Sequence, residues 1–320
     1  MRVVLSLALA VVLAGCSDNP PVVILMSVDG PSSWPTRYLL GGTETWAMVG
    51  HSDSLPDLIA GIHEGFLRPW SFGTSGGMRG QGSLLTLAAR EGWSTAVFAS
   101  VSTDVRPALE RLSNSASDAR IRPAGLSNWP LLANDVVLWA ASHDAPRFAT
   151  VHLSVTDPPT PEAMSAVVQM WARIDDLIRG TGDSSALLAV YLADAPPGDS
   201  MARLRVVGSV PGATAMRDTW LSTLDVAPTV ASVLNVLYTP DYLGQSLAAL
   251  SSGQRSEPVV FTRGTTRMVM GSRWMVVADE FEDDALPSRV RFVDLWRGEF
   301  SASGTRSPEA LKLLEHLPHR

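Results

Sequence analysis

The segment Val22 to Gly30, VVILMSVDG, constrains the fold more than any other stretch of this chain. Five consecutive apolar residues, Val22 to Met26, follow two prolines and precede a lone acid, which reads as a strand buried on both faces. Such a strand belongs in a sheet sandwiched between helices. Asp29 falls at its carboxyl end, where the loops of an open α/β sheet gather ligands and metals. The question for the rest of the chain is which residues it brings to Asp29.

With 320 residues, 46% of them hydrophobic, the chain can bury a large core, read as one big domain with a smaller appendage. A net charge of −7 without clustered Lys or Arg excludes a nucleic-acid surface. The ten Trp residues are scattered and read as packing residues. At the N-terminus, Arg2 precedes an apolar run, Val3 to Val12, that is too short to span a bilayer comfortably. Leu13-Ala14-Gly15-Cys16 then resembles a bacterial lipoprotein signal, and Cys16 is the only cysteine in the chain. The resemblance implies a signal peptide over 1–15, lipidation at Cys16, a tether over 16–20 and a membrane partner reached through the lipid. Ser17 implies the outer membrane, with the chain facing the periplasm or the exterior.

Beyond the first strand, Leu55 to Phe66 has helical spacing, with Ser54 as N-cap and Pro56 in the first turn. His51 and His63 read as surface or internally satisfied histidines, because neither has a second ligand at metal-like spacing. A glycine-rich run, Phe72 to Gly82, precedes a helix over Ser83 to Gly92. Backbone amides at such a junction can hold an anion, and a hydroxyl there can act as a nucleophile. Gly73-Thr74-Ser75-Gly76-Gly77 also fits the G-x-S-x-G elbow of serine hydrolases, although no His follows in an obviously suitable loop. Further strands are predicted over Trp93–Ser100, Arg147–Val155, Ala186–Leu192 and Arg203–Val210, with helices over Asp135–Ala141 and Glu162–Arg179. Alternating strands and helices predict an α/β fold, a mostly parallel central sheet with helices on both faces.

The order of these segments resembles the sulfatase branch of the alkaline phosphatase superfamily. VVILMSVDG resembles that family's first strand with its metal-binding Asp. FATVHLSVTDPPTP resembles its D-P-H-x-P segment, and LLAVYLADAPPGD the strand that ends S-D-H-G. Asp225-Val226-Ala227-Pro228-Thr229 resembles the family's D-[LIV]-x-P-T helix start, with Asp225 read as the helix N-cap. RMVMGSRWMVV and VRFVDLW resemble its small C-terminal antiparallel sheet, and Ser307 to Leu317 its closing helix. The resemblance implies an alkaline-phosphatase-like domain over 21–250 and a small β subdomain with a helix over 256–320. It also implies Asp29 and Asp194 as ligands of one divalent cation, calcium or magnesium, with Ser75 (or Thr74) as nucleophile and Arg79 as partner of the ester oxygens.

Several family residues are replaced. The second acid of the first strand is Gly30, the S-D-H-G histidine is Ala195, the D-P-H histidine is Pro159, and Gly77 and Met78 replace Pro and Ser of the nucleophile motif. No Lys lies between Cys16 and Lys312, so the family's active-site lysines are absent; His143 and His152 are the residues available as substitutes, although His152 falls inside a strand. Three readings follow: a catalytically degraded lipoprotein, binding no metal or keeping one, that acts as a binding or structural protein at the cell envelope; an active metal-dependent sulfate or phosphate ester hydrolase or phospho-group transferase; and a serine hydrolase built on Ser75.

Overall fold

The computed structural model describes residues 20–31, 34–35, 46–50, 55–64, 83–142, 144–156, 158–194, 202–216, 220–236, 244–251, 255–263, 266–279, 289–295, 297 and 299–317. Cys16, His51, Thr74, Ser75, Arg79, His143 and Ala195 lie outside the described residues. The central sheet contains strands β1 (Val22–Pro31), β2 (Trp46–Val49), β3 (Ser94–Val101), β4 (Asp118–Pro123), β5 (Arg147–Ser154), β6 (Ala186–Asp194), β7 (Ala202–Gly208) and β8 (Leu221–Ser222). They lie in the order β4-β3-β5-β1-β6-β7-β2-β8. The four strand pairs from β4 to β6 are all parallel, and β7 alone runs against its neighbours.

As predicted, β1 is central and covered on both faces; Val22 to Met26 are fully buried. Val23 and Leu25 join the helices α1 (Leu55–Glu64), α2 (Leu84–Arg90), α3 (Arg106–Ser113), and α6 (Val226–Val233) with the short α7 (Leu247–Leu250). Val22, Ile24, Met26 and Val28 face α4 (Asn128–Ala141) and α5 (Pro161–Gly180). Helix α5 starts where the sequence dictates: the Thr160 hydroxyl accepts from the Ala163 amide and Pro161 fills the first turn. Helix α4 begins at Asn128, earlier than the predicted Asp135, because Pro130 sits in its first turn and needs no amide partner there.

The C-terminal part is an antiparallel sheet of β9 (Val259–Arg263), β10 (Thr266–Met270), β11 (Trp274–Asp279), β12 (Arg289–Asp294) and β13 (Glu299–Phe300). Helix α8 (Pro308–Leu313) packs Ala310 and Leu313 against Val269, Val276 and Phe292 on one face of it. The other face meets Val49 and Leu224 of the central part.

The capping role predicted for Asp225 falls one turn earlier than expected, where its carboxylate closes a capping box with Ser222 over the 3-10 turn Thr223–Asp225. Its carboxylate makes no cap bond to α6. Instead it accepts from the Ser222 and Gln245 amides, each at 2.8 Å, and takes both terminal nitrogens of Arg255, at 2.8 and 2.6 Å. Tertiary contacts with a residue thirty positions away override the local signal. Burial by itself would depress the Arg255 guanidinium; the charge and hydrogen bonds of Asp225 outweigh it and raise its pKa.

Candidate functional site

Strand alternation turns polar at the carboxyl end of β1. After Val23 and Leu25, the next two positions on the same face are Ser27 and Asp29. The parallel register places His152 of β5 opposite Ser27, and Ser154 opposite Asp29. Helix α1 ends its buried face with His63, which is fully enclosed. Three elements thus bring five polar side chains to one buried corner.

They form a continuous chain of polar contacts. His152 Nε2 lies 2.7 Å from Asp29 Oδ1, and the Ser154 hydroxyl donates to the same oxygen at 2.9 Å. His152 Nδ1 lies 2.7 Å from Ser27 Oγ, which lies 2.5 Å from His63 Nε2. A carboxylate only accepts, so His152 carries a proton on Nε2. When His152 carries its proton on Nε2 alone, its Nδ1 accepts from Ser27, and His63 Nε2–H then donates to Ser27. Among the described residues, the buried His63 Nδ1 has no hydrogen-bond partner. Enclosure, and secondarily the nearby His152, push the His63 pKa down to about 3, so its ring is neutral at pH 7.

Tyr191 of β6 closes the other side. Its hydroxyl lies 2.8 Å from the Pro31 carbonyl oxygen and 3.2 Å from that of Gly30. Burial, followed by the charge of Asp29, raises its pKa, so it stays a donor to the β1 end. Asp194 ends β6 in register with Pro31, while Asp29 lies opposite Leu192. From strand spacing and rise, the two Asp Cα atoms are about 8 Å apart. The Asp194 side chain lies outside the described part of the chain.

Gly30 is where a second acid would stand in a sulfatase-like strand. A Cβ built there would lie 2.9 Å from Val155 Cβ, inside normal contact distance. Val155 is fixed in place because its amide donates to the Asp29 carbonyl at 2.8 Å, extending the β1–β5 ladder. A calcium or magnesium ion takes six or more oxygen ligands. The described residues offer Asp29, with Oδ1 already accepting twice, and no room for an acid at position 30. Among the described residues, no group of three or more His, Cys, Asp or Glu side chains is disposed to hold a metal ion. The described donor set does not fit a hard cation.

Sequence reasoning treated His63 and His152 separately, as satisfied or core residues, and missed that they share Ser27. The available signal was two period-2 polar pairs, Ser27-x-Asp29 and His152-x-Ser154, at the ends of two otherwise apolar strands.

No known family model matches the sequence, and no curated protein matches it. Solved structures do match the fold. The lipoteichoic acid synthase LtaP from Listeria monocytogenes superposes with a TM-score of 0.59 at 13% identity, covering 93% of this chain and 89% of that one. An alkaline phosphatase superfamily protein from Vibrio parahaemolyticus gives 0.59 at 12% identity, covering 88% and 81%. A 4S-sulf protein of glycosaminoglycan metabolism from Bacteroides thetaiotaomicron gives 0.61 at 10% identity, covering 93% and 94%. The fold is therefore alkaline-phosphatase-like, as the order of motifs implied. No helix of the described residues is long and apolar enough to cross a membrane.

Proposed function

We propose that the chain is a sulfatase-like lipoprotein of the cell envelope, catalytically degraded, whose fold serves in binding or as a structural part. The observation that carries this reading is the packing of Val155 against Gly30, which leaves the first strand one acid where the family places two. Ala195 and Pro159 in place of histidines, and the missing lysines, point the same way. Loss of one preorganised group of such a site costs orders of magnitude in rate.

The test is turnover of aryl sulfates, phosphates and phosphonates by the chain from Ser17 onward, in chelator and then with calcium, magnesium, manganese or zinc. The expected result is no hydrolysis above that of Ser75→Ala under any condition. Metal-dependent hydrolysis that vanishes in Ser75→Ala would overturn it and establish the second reading, an ester hydrolase or phospho-group transferase with Ser75 as nucleophile. That second reading draws on the spacing of Ser75 and Arg79 and on the placement of Asp29 and Asp194 at the ends of adjacent strands. Anchoring is tested separately: fatty-acid label should enter the wild-type protein and be lost in Cys16→Ser.

A further inference from the structure

We propose that the chain Asp29–His152–Ser27–His63 stands in for a divalent cation: His152 supplies from within the protein the donor that the carboxylate would otherwise find in a metal, and the chain latches α1 to the ends of β1 and β5. The inference rests on the reading that Asp29 holds no cation. A carboxylate in which Asp29 is only 8% exposed needs compensation, since an unpaired buried charge is costly. Here that compensation is two donors on Oδ1, from His152 and Ser154.

The arrangement is built and cannot easily swing aside. His152 is 1% exposed on a strand flanked by β1 and β3, and its second nitrogen is held by Ser27. Ser27 is in turn held by His63, so the orientation of His152 is set by a residue on a different element, α1. Steric closure at Gly30 accounts for the missing second acid, and this chain accounts for what the remaining acid does instead. His152, Ser27 and His63 are positioning residues for Asp29, and they also fix the last turn of α1.

The experiment is a double-mutant cycle in chelator, Asp29→Asn with His63→Leu, read by thermal unfolding. Each single variant should melt lower by roughly 2–6 °C, and the double variant should fall well short of the sum. Additive losses would overturn the proposal. As a readout that needs no variant to fold, imidazole 15N spectra of the wild-type chain should show two of its six histidines protonated on Nε2 with slowly exchanging protons, unchanged by calcium, magnesium, manganese or zinc. Rapid exchange at both rings would also overturn it. A metal-induced rise in melting temperature that is lost in Asp29→Asn would overturn the cation-free reading itself, whereas additivity without any metal response would remove only the stand-in role.

Discussion

Replacing Asp225 by Ala tests the structure most sharply, because the local and tertiary accounts of this residue differ in size. A helix N-cap lost to Ala costs about 1 kcal/mol. The observed carboxylate is 1% exposed and pairs with an Arg255 side chain that is 2% exposed, through two bonds of 2.8 and 2.6 Å. It also satisfies two backbone amides, those of Ser222 and Gln245. Removing one member of a buried pair strands the other charge, which costs about 3–5 kcal/mol. For a chain of this size that converts to roughly 6–10 °C in melting temperature. Urea unfolding of the chain from Ser17 onward gives the free energy directly, with the slope checked for two-state behaviour. Combining Asp225→Leu with Arg255→Met should recover the part of the loss due to the stranded charge, while the Ser222 and Gln245 amides remain without their acceptor. A loss of only about 1 kcal/mol, or no recovery in the double variant, would refute the argument.

Other expectations follow from the same geometry. The folded pKa of His63 lies below its ordinary value of 6.5, down to about 3, so the unfolded chain binds more protons between those values and stability should fall as pH drops from 6.5. Melting curves from pH 7 to 4 should show that fall in the wild type and a smaller one in His63→Phe. Gly30→Ala should destabilise by about 1–3 kcal/mol through contact with Val155, with partial rescue by Val155→Ala, measured by denaturant unfolding.

The scaffold was legible in the sequence where burial is strong and local. β1, β5 and β6 are apolar runs with no competing signal, and α5 carries its own cap and a clear apolar face. β4 was not legible. Asp118, Arg120 and Arg122 interrupt any apolar run there, since an edge strand needs only a half-buried face; in the structure both arginines pair with Asp135 of α4. Helix α3 is only eight residues long, so the spacing of its buried Ala108, Leu109 and Leu112 fills too short a window to stand out. At the candidate site, Asp29 was legible as an acid at a strand end. Its partners were not, because Ser27, His63 and His152 meet only through strand register and helix docking, neither of which a linear spacing encodes.

That distinction bears on how the fold could carry one acid in place of two. The amide of Val155 pairs with the Asp29 carbonyl, and this bond extends the same ladder that sets His152 opposite Ser27 and Ser154 opposite Asp29. The register that completes the hydrogen-bonded chain is therefore the register that packs Val155 onto Gly30. Reintroducing an acid at position 30 requires Val155 to shrink or move. Moving it disturbs the ladder that aims Ser154 and His152 at Asp29, whereas shrinking it leaves Asp29 Oδ1 already taken by two donors. Room for an acid at position 30 therefore takes a change at Val155 as well as at Gly30.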